Sequence, residues 1–146
     1  MQVKNATSGS RSACPINAVV EVIGDQWSLL ILRDMLIDHR TRYSEFRMAD
    51  EGVATNILSA KLKHLSDYGL VEKFPDPQDG RASIYLPTER ALDMIPVLLS
   101  AMAWSDKHQP DTSIPAEAMS AYHSDPQGVA ALLRERAMQF GKETRP

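Results

Sequence analysis

From Trp27 to Leu36 the chain is apolar on almost every side: Trp27, Leu29, Leu30, Ile31, Leu32, Met35 and Leu36 are interrupted only by Ser28, Arg33 and Asp34. A helix with so little polar surface has no face to give to water, which predicts a central helix with the other elements packed round it. With 146 residues, 43% of them hydrophobic and 24% charged, the chain can build one principal domain around such a centre.

The flanking segments supply the layers. Pro15 suits the first position of a helix, and Ile16, Val19, Val20 and Ile23 recur at i, i+3, i+4, i+7 before Gly24. Thr41 is the expected cap of a brief helix in which Tyr43 and Phe46 point the same way. A further helix, from about Ala54 to Leu65, turns Leu58, Leu62 and Leu65 inward and stops by Gly69. Leu70 to Phe74 and Ser83 to Leu86 predict a β-hairpin with a long tip, Pro75 to Ala82. Thr88 then caps one long helix from Glu89 to about Lys107, with two apolar stripes: Leu92, Ile95, Leu99 and Met102, and Met94, Leu98 and Ala101. Two stripes need two covers, the helix's own domain and a second subunit. Asp125 and Pro126 open a last helix whose apolar face is Val129, Leu132, Leu133 and Phe140. The expected organisation is a flexible arm over 1–13, a principal domain over 14–109 and a helical extension over 110–146.

That order (helix, buried helix, short helix, turn, amphipathic helix, hairpin, long helix) is the chain order of a winged helix-turn-helix, mainly α with a small β-hairpin and dimeric. A helix about 10 to 12 Å wide fits a major groove of about 12 Å, and a hairpin beside it reaches backbone or minor groove. The exposed side of the Ala54 helix carries suitable chemistry. Asn56 is an amide able to pair with adenine; Thr55 and Ser59 are short hydroxyls for bases or phosphates; Lys63 adds a cation there. Arg42, Lys61 and Arg81 are candidates for backbone or minor groove. Double-stranded DNA is thus the expected partner, although polar residues opposite a leucine stripe also make an ordinary solvated face. A winged helix that docks protein instead of DNA is the alternative.

Charge constrains this reading. The net charge is −3, which argues against a polycation that coats nucleic acid, and between His39 and Arg81 seven bases meet seven acids. Positive charge has to be local, and Val53 to Leu65 has Lys61 and Lys63 with no acid.

Cys14-Pro15, the run Ile23 through Asp34, Arg42-Tyr43-Ser44-Glu45-Phe46, Leu58 through Lys63 with Leu65, and Gly69-Leu70-Val71-Glu72 together resemble the HxlR-type transcriptional regulators, over about residues 14–105. The resemblance implies bacterial-type dimeric winged-helix regulators of nearby genes, often responsive to electrophiles, oxidants or a small-molecule effector. It puts the recognition helix on Ala54 to Leu65 and the homodimer elements on Pro15 to Ile23 and Glu89 to Lys107. Departures exist: Ala54-Thr55 stand where the family has Ser-Pro, Ala91 stands where it has Gly, and the Asp76 to Arg81 wing, with Asp79-Gly80-Arg81, is closer to MarR-type proteins. Thr55 is therefore expected to serve as the cap in place of the family's serine.

Cys14 is the single cysteine, which excludes an internal disulfide. At the start of a helix it feels a partial positive charge that favours thiolate, so it is a candidate redox or electrophile sensor; the alternative is an unreactive thiol lining the dimer contact. No catalytic, metal or cofactor-binding arrangement is expected: His39, His64, His108 and His123 are scattered, without HxxxH spacing or a Gly-rich phosphate loop. The N-terminus lacks the apolar run of a secretory signal and no stretch approaches a membrane span, so no membrane partner and a cytoplasmic location are expected. Two roles are open to the tail: wrapping a partner subunit through Tyr122, Leu132, Leu133 and Phe140, or roofing a small-molecule pocket near Trp104.

Overall fold

A computed structural model describes residues 11–146, so the arm expected over 1–13 lies, as far as residue 10, outside the described residues. The described elements run α1 (Pro15–Ile23), α2 (Ser28–Leu36), α3 (Tyr43–Arg47), α4 (Thr55–Asp67), β1 (Val71–Pro75), β2 (Ser83–Pro87), α5 (Glu89–Leu92), α6 (Ile95–His108), α7 (Ala116–Ser124) and α8 (Pro126–Thr144). The chain is mainly α with one antiparallel hairpin, as the sequence predicts, and the order is that of a winged helix-turn-helix. No single described helix is long and apolar enough to cross a membrane.

The apolar segment takes the central place. Ile31, Leu32, Met35 and Leu36 of α2 are buried, and α1, α4, α5, α6, α8 and β2 all pack on this helix. Each fully buried leucine or isoleucine contributes roughly 1.5 to 3 kcal/mol, so α2 is the main anchor of the fold. Its start is capped from outside: the Asp25 carboxylate accepts from the Trp27 N–H at 2.8 Å, the Ser28 N–H at 3.0 Å and the Ser28 hydroxyl.

The cap of α3 differs from expectation. Thr41 is buried, its carbonyl accepting from the Tyr85 N–H at 2.8 Å, and Arg42, with an extended backbone, takes the N-cap position instead. The Glu45 carboxylate does the capping, accepting from the N–H groups of Thr41 at 2.7 Å and Arg42 at 2.8 Å. At α4 the cap position is Ala54, with no side-chain bond, and Thr55 is the first helical residue and not the cap.

The end of α4 is tied to two later elements. Gly69 sits at φ 71°, the left-handed region, which lets the Leu70 N–H reach back to the Leu65 carbonyl at 2.9 Å. Thr88, the N-cap of α5, donates its hydroxyl to the Gly69 carbonyl at 2.7 Å and its N–H to the Leu70 carbonyl at 3.0 Å. Between these points the hairpin pairs Val71 with Pro87 through Pro75 with Ser83.

The long helix expected from Glu89 to Lys107 is two helices, broken at Asp93 and Met94. Pro96 lacks the N–H that would bond the Leu92 carbonyl, and its ring crowds that turn, so the chain restarts at Ile95. The covering of α6 also differs: Leu98, on the stripe assigned partly to a second subunit, is buried within the chain, where α7 and α8 return along α6. The outward stripe is instead Val97, Ala101 and Trp104. Asp125 caps α8 as expected, accepting from the Gly128 N–H at 2.9 Å. The buried side of α8 follows Val129, Leu133, Ala137 and Phe140, leaving Leu132 aside and 46% exposed.

Candidate nucleic-acid interface

The turn ahead of α4 is held from below. Arg33 on α2 makes a two-pronged bond to Glu51, at 2.6 and 3.1 Å, and also holds buried Asp34 at 2.6 Å. The Arg33 guanidinium brings the Glu51 carboxyl down to about 2, while burial pushes Asp34 upward against the pull of Arg33 and Arg40. Glu51 thus stays ionised, and its turn keeps a fixed angle to α2.

With its start fixed, α4 puts Leu58, Leu62 and Leu65 into the core. At 100° per residue the opposite side collects Asn56, Ala60 and Lys63, with Thr55 and Ser59 on the adjoining flank; all five are exposed. The structure therefore gathers four of the expected site residues, Thr55, Asn56, Ser59 and Lys63, on one accessible side of one helix. Lys63 reaches Asp67 one turn on, at 2.9 Å, a surface pair worth little that another anion can displace.

Lys61 stands apart. It lies on the other flank of α4 and bonds Asp25 at 3.2 Å. Burial pushes the Asp25 carboxyl up, but Ser28, the Trp27 and Ser28 N–H groups and Lys61 outweigh it and bring the group to about 2. The absence of acids in the Val53 to Leu65 segment is therefore compensated in space, by Asp25 for one lysine and Asp67 for the other.

Arg42 is also engaged within the protein. Its guanidinium donates to the buried Asp76 carboxylate at 2.6 and 3.2 Å and to Gln78 at 3.1 Å, which clamps the base of the hairpin tip to the start of α3. Arg42 lowers the Asp76 carboxyl, and Asp76 also accepts from the Gln78 N–H at 2.8 Å. Arg81 is exposed at the tip itself, its N–H bonded to Asp79 at 3.0 Å. A groove of about 890 Å³ separates α4 from the hairpin, bordered by Ser59, Leu62, Lys63, Lys73 and Tyr85. Its rims are α4 and the hairpin.

Two residues escaped the sequence reading. Tyr43, read there only as pointing the same way as Phe46, donates its hydroxyl to the Thr55 carbonyl at 2.6 Å and lies 3.0 Å from the Ser59 hydroxyl. Asp76, taken as a turn acid, is the buried half of the wing clamp. No sequence signal marks either, because each meets its partner only through packing.

Cys14 is exposed and occupies the N-cap position of α1, directly before Pro15. No residue of α1 is buried: Ile16 is 70% exposed, Val19 43% and Val20 45%. Trp104, beside which a pocket was one of the two alternatives for the tail, is 60% exposed, and it lines neither of the grooves that border α4 and the hairpin. Among the described residues no three His, Cys, Asp or Glu side chains gather as a metal site.

Comparison with known proteins places this geometry. The profile of the HxlR-like helix-turn-helix family matches residues 22–113. An HTH-type transcriptional regulator of Mycobacterium tuberculosis is 28% identical over 95 residues, 65% of this chain and 59% of the relative, so the match spans less than two thirds of that protein. The regulator YdeP of Bacillus subtilis is 26% identical over 103 residues, 70% of this chain and 80% of the relative. Among solved structures, the transcription factor PA1607 is similar with a TM-score of 0.64 and 33% identity, covering 72% of this chain and 73% of that one. The redox regulator HypR, in its oxidised form, is similar with a TM-score of 0.59 and 25% identity, covering 66% of this chain and 98% of that one.

Proposed function

This chain belongs to the HxlR-like helix-turn-helix family, and from that premise we propose that it is a cytoplasmic transcriptional regulator, not an enzyme, that binds double-stranded DNA as a homodimer. The observation that carries this is α4: its leucines are buried, while Thr55, Asn56, Ser59 and Lys63 lie together on the accessible side, beside a hairpin tipped by Arg81. In the proposal α4 enters the major groove. Asn56 and Ser59 read base edges, Thr55 and Lys63 hold the groove wall, and Arg81 reaches phosphate or minor groove. Arg42 acts chiefly by holding the wing, and Lys61 by holding α4 to the start of α2, each with a longer-range attraction for phosphate. The winged unit is assigned to 14–109 and the helical extension to 110–146.

The dimer is supported by the face of α1, where Ile16, Val19 and Val20 stay exposed among the described residues, and by the outward stripe of α6. Two copies would present their α4 helices to successive major grooves about 34 Å apart, on a pseudo-palindromic operator. Binding to duplex DNA at low salt, falling steeply as salt rises, is the expected result. Asn56→Ala should cost about 1 to 3 kcal/mol and relax one base step, whereas Lys63→Ala should weaken all sequences evenly. A chain that ignores duplex DNA at low ionic strength would favour a protein-docking module instead.

Cys14 supports a second element of the proposal, response to oxidants or electrophiles. It lies at the start of α1, so a group added to its sulfur would press on the proposed subunit contact and change the spacing of the two α4 helices. A small-molecule effector remains within the same proposal. Operator affinity that stays constant after complete alkylation of Cys14 would remove the sensor from it.

A further inference from the structure

A count of protons around Tyr43 gives α4 a more specific task than offering polar groups. The Tyr43 hydroxyl has one hydrogen, and the Thr55 carbonyl 2.6 Å away can only accept, so that hydrogen is committed to Thr55. A serine on a helix can turn its own hydrogen back to the carbonyl four residues earlier, which for Ser59 is Thr55. Here that carbonyl already holds the helical N–H of Ser59 and the tyrosine hydroxyl, one for each lone pair. The Tyr43 oxygen lies 3.0 Å from the Ser59 oxygen, and with the tyrosine hydrogen committed to Thr55 the bond between them has to be donated by Ser59. Ser59 therefore gives its hydrogen to Tyr43, and its exposed side presents lone pairs alone.

We infer that Tyr43 is a positioning residue that makes Ser59 an acceptor-only reader, so that α4 selects, at the base edge facing Ser59, a base carrying an exocyclic amine. In the major groove that means adenine, through its N6 amine, or cytosine, through its N4 amine; guanine and thymine offer acceptors at that place and meet lone pair with lone pair. The inference rests on the proposed DNA-binding reading and deepens it. It also distinguishes Ser59 from Thr55, which Tyr43 engages through the backbone carbonyl and not through the side-chain hydroxyl.

The test is selection from a pool of randomised duplexes by the full-length chain, its Tyr43→Phe form and its Ser59→Ala form. Tyr43→Phe removes one oxygen from a half-buried ring and leaves the apolar packing in place, and Ser59→Ala is a second, exposed change that does not depend on the first. The expected result is one position per half-site where the parent enriches adenine or cytosine, and where both variants lose that preference. The selected base is then replaced by purine or 2-pyrimidinone, which lack only the amine. The parent should lose about fivefold to tenfold in affinity, the scale of one hydrogen bond, and the variants should be nearly indifferent. A merely structural role for Tyr43 would lower affinity for every sequence and leave the preferences alone. Identical preferences in parent and Tyr43→Phe overturn the inference while leaving DNA binding intact; no enrichment by the parent overturns the DNA-binding reading itself, and this inference with it.

Discussion

Two amphipathic helices of similar design meet opposite fates in this molecule. In α1, a stripe of the same periodicity has only Ile23 partly against the core, and Ile16, Val19 and Val20 stay exposed, whereas in α4 Leu58, Leu62 and Leu65 are all buried. The α4 stripe is completed within the chain by α2 and the hairpin, whereas α1 touches the domain along one edge, through α2 and a 2.9 Å bond between His64 and the Val22 carbonyl. Helical periodicity announces that a face must be covered. It does not announce by whom.

The sharpest way to break this contrast is truncation on both helices. Leu62→Ala should lower folding stability by about 2 to 5 kcal/mol in denaturant unfolding, because it leaves a cavity in a filled core. Ile16→Ala, at a side chain already largely solvated, should change unfolding of the single chain by under about 0.5 kcal/mol, and equal losses would void the distinction. A charge on α1 sharpens it further: Val20→Asp should leave the helical signal in circular dichroism unchanged and weaken self-association by about 1 to 3 kcal/mol in sedimentation.

Acid probes the ion pairs that tie α4 and the turn before it to the α2 region. Asp25 and Glu51 are both held near 2, below their usual range, so the stability they supply is present above about pH 4 and is lost as the pH falls towards 2. Asp25→Asn should flatten that part of an acid unfolding curve; an unchanged curve would deny Asp25 its place at the junction. The smallest effect should come from Lys61→Ala, which loses one partly exposed pair and under about 1 kcal/mol of stability. It should also affect DNA affinity less than Lys63→Ala does, because the two lysines leave α4 on different sides.

What the sequence discloses here follows the range of each interaction. The α2 core, the leucine stripe of α4, the hairpin, and the caps at Thr88 and Asp125 are local patterns, and all are present in the structure. The break before Ile95 is local too, since Pro96 marks it, but the continuous apolar stripes outweighed that signal. Partner choice is another matter. Arg42 with Asp76 and Lys61 with Asp25 are 34 and 36 residues apart, and nothing along the chain selects those acids over their neighbours. The grouping of Thr55, Asn56, Ser59 and Lys63 on one side of α4 was legible because 100° per residue suffices to collect them; the hydroxyl of Tyr43 was not, because it depends on how α3 rests on α4.

One small knot has a consequence for recognition. Gly69 and Thr88 fasten the last turn of α4, the first residues of β1 and the cap of α5 to one another. Holding a residue in a single backbone state costs about 1 to 2 kcal/mol of entropy, and here that cost is met during folding rather than on contact with a ligand. In the proposed reading, α4 and the wing would therefore meet a duplex as one stiff jaw, whose opening is set beforehand.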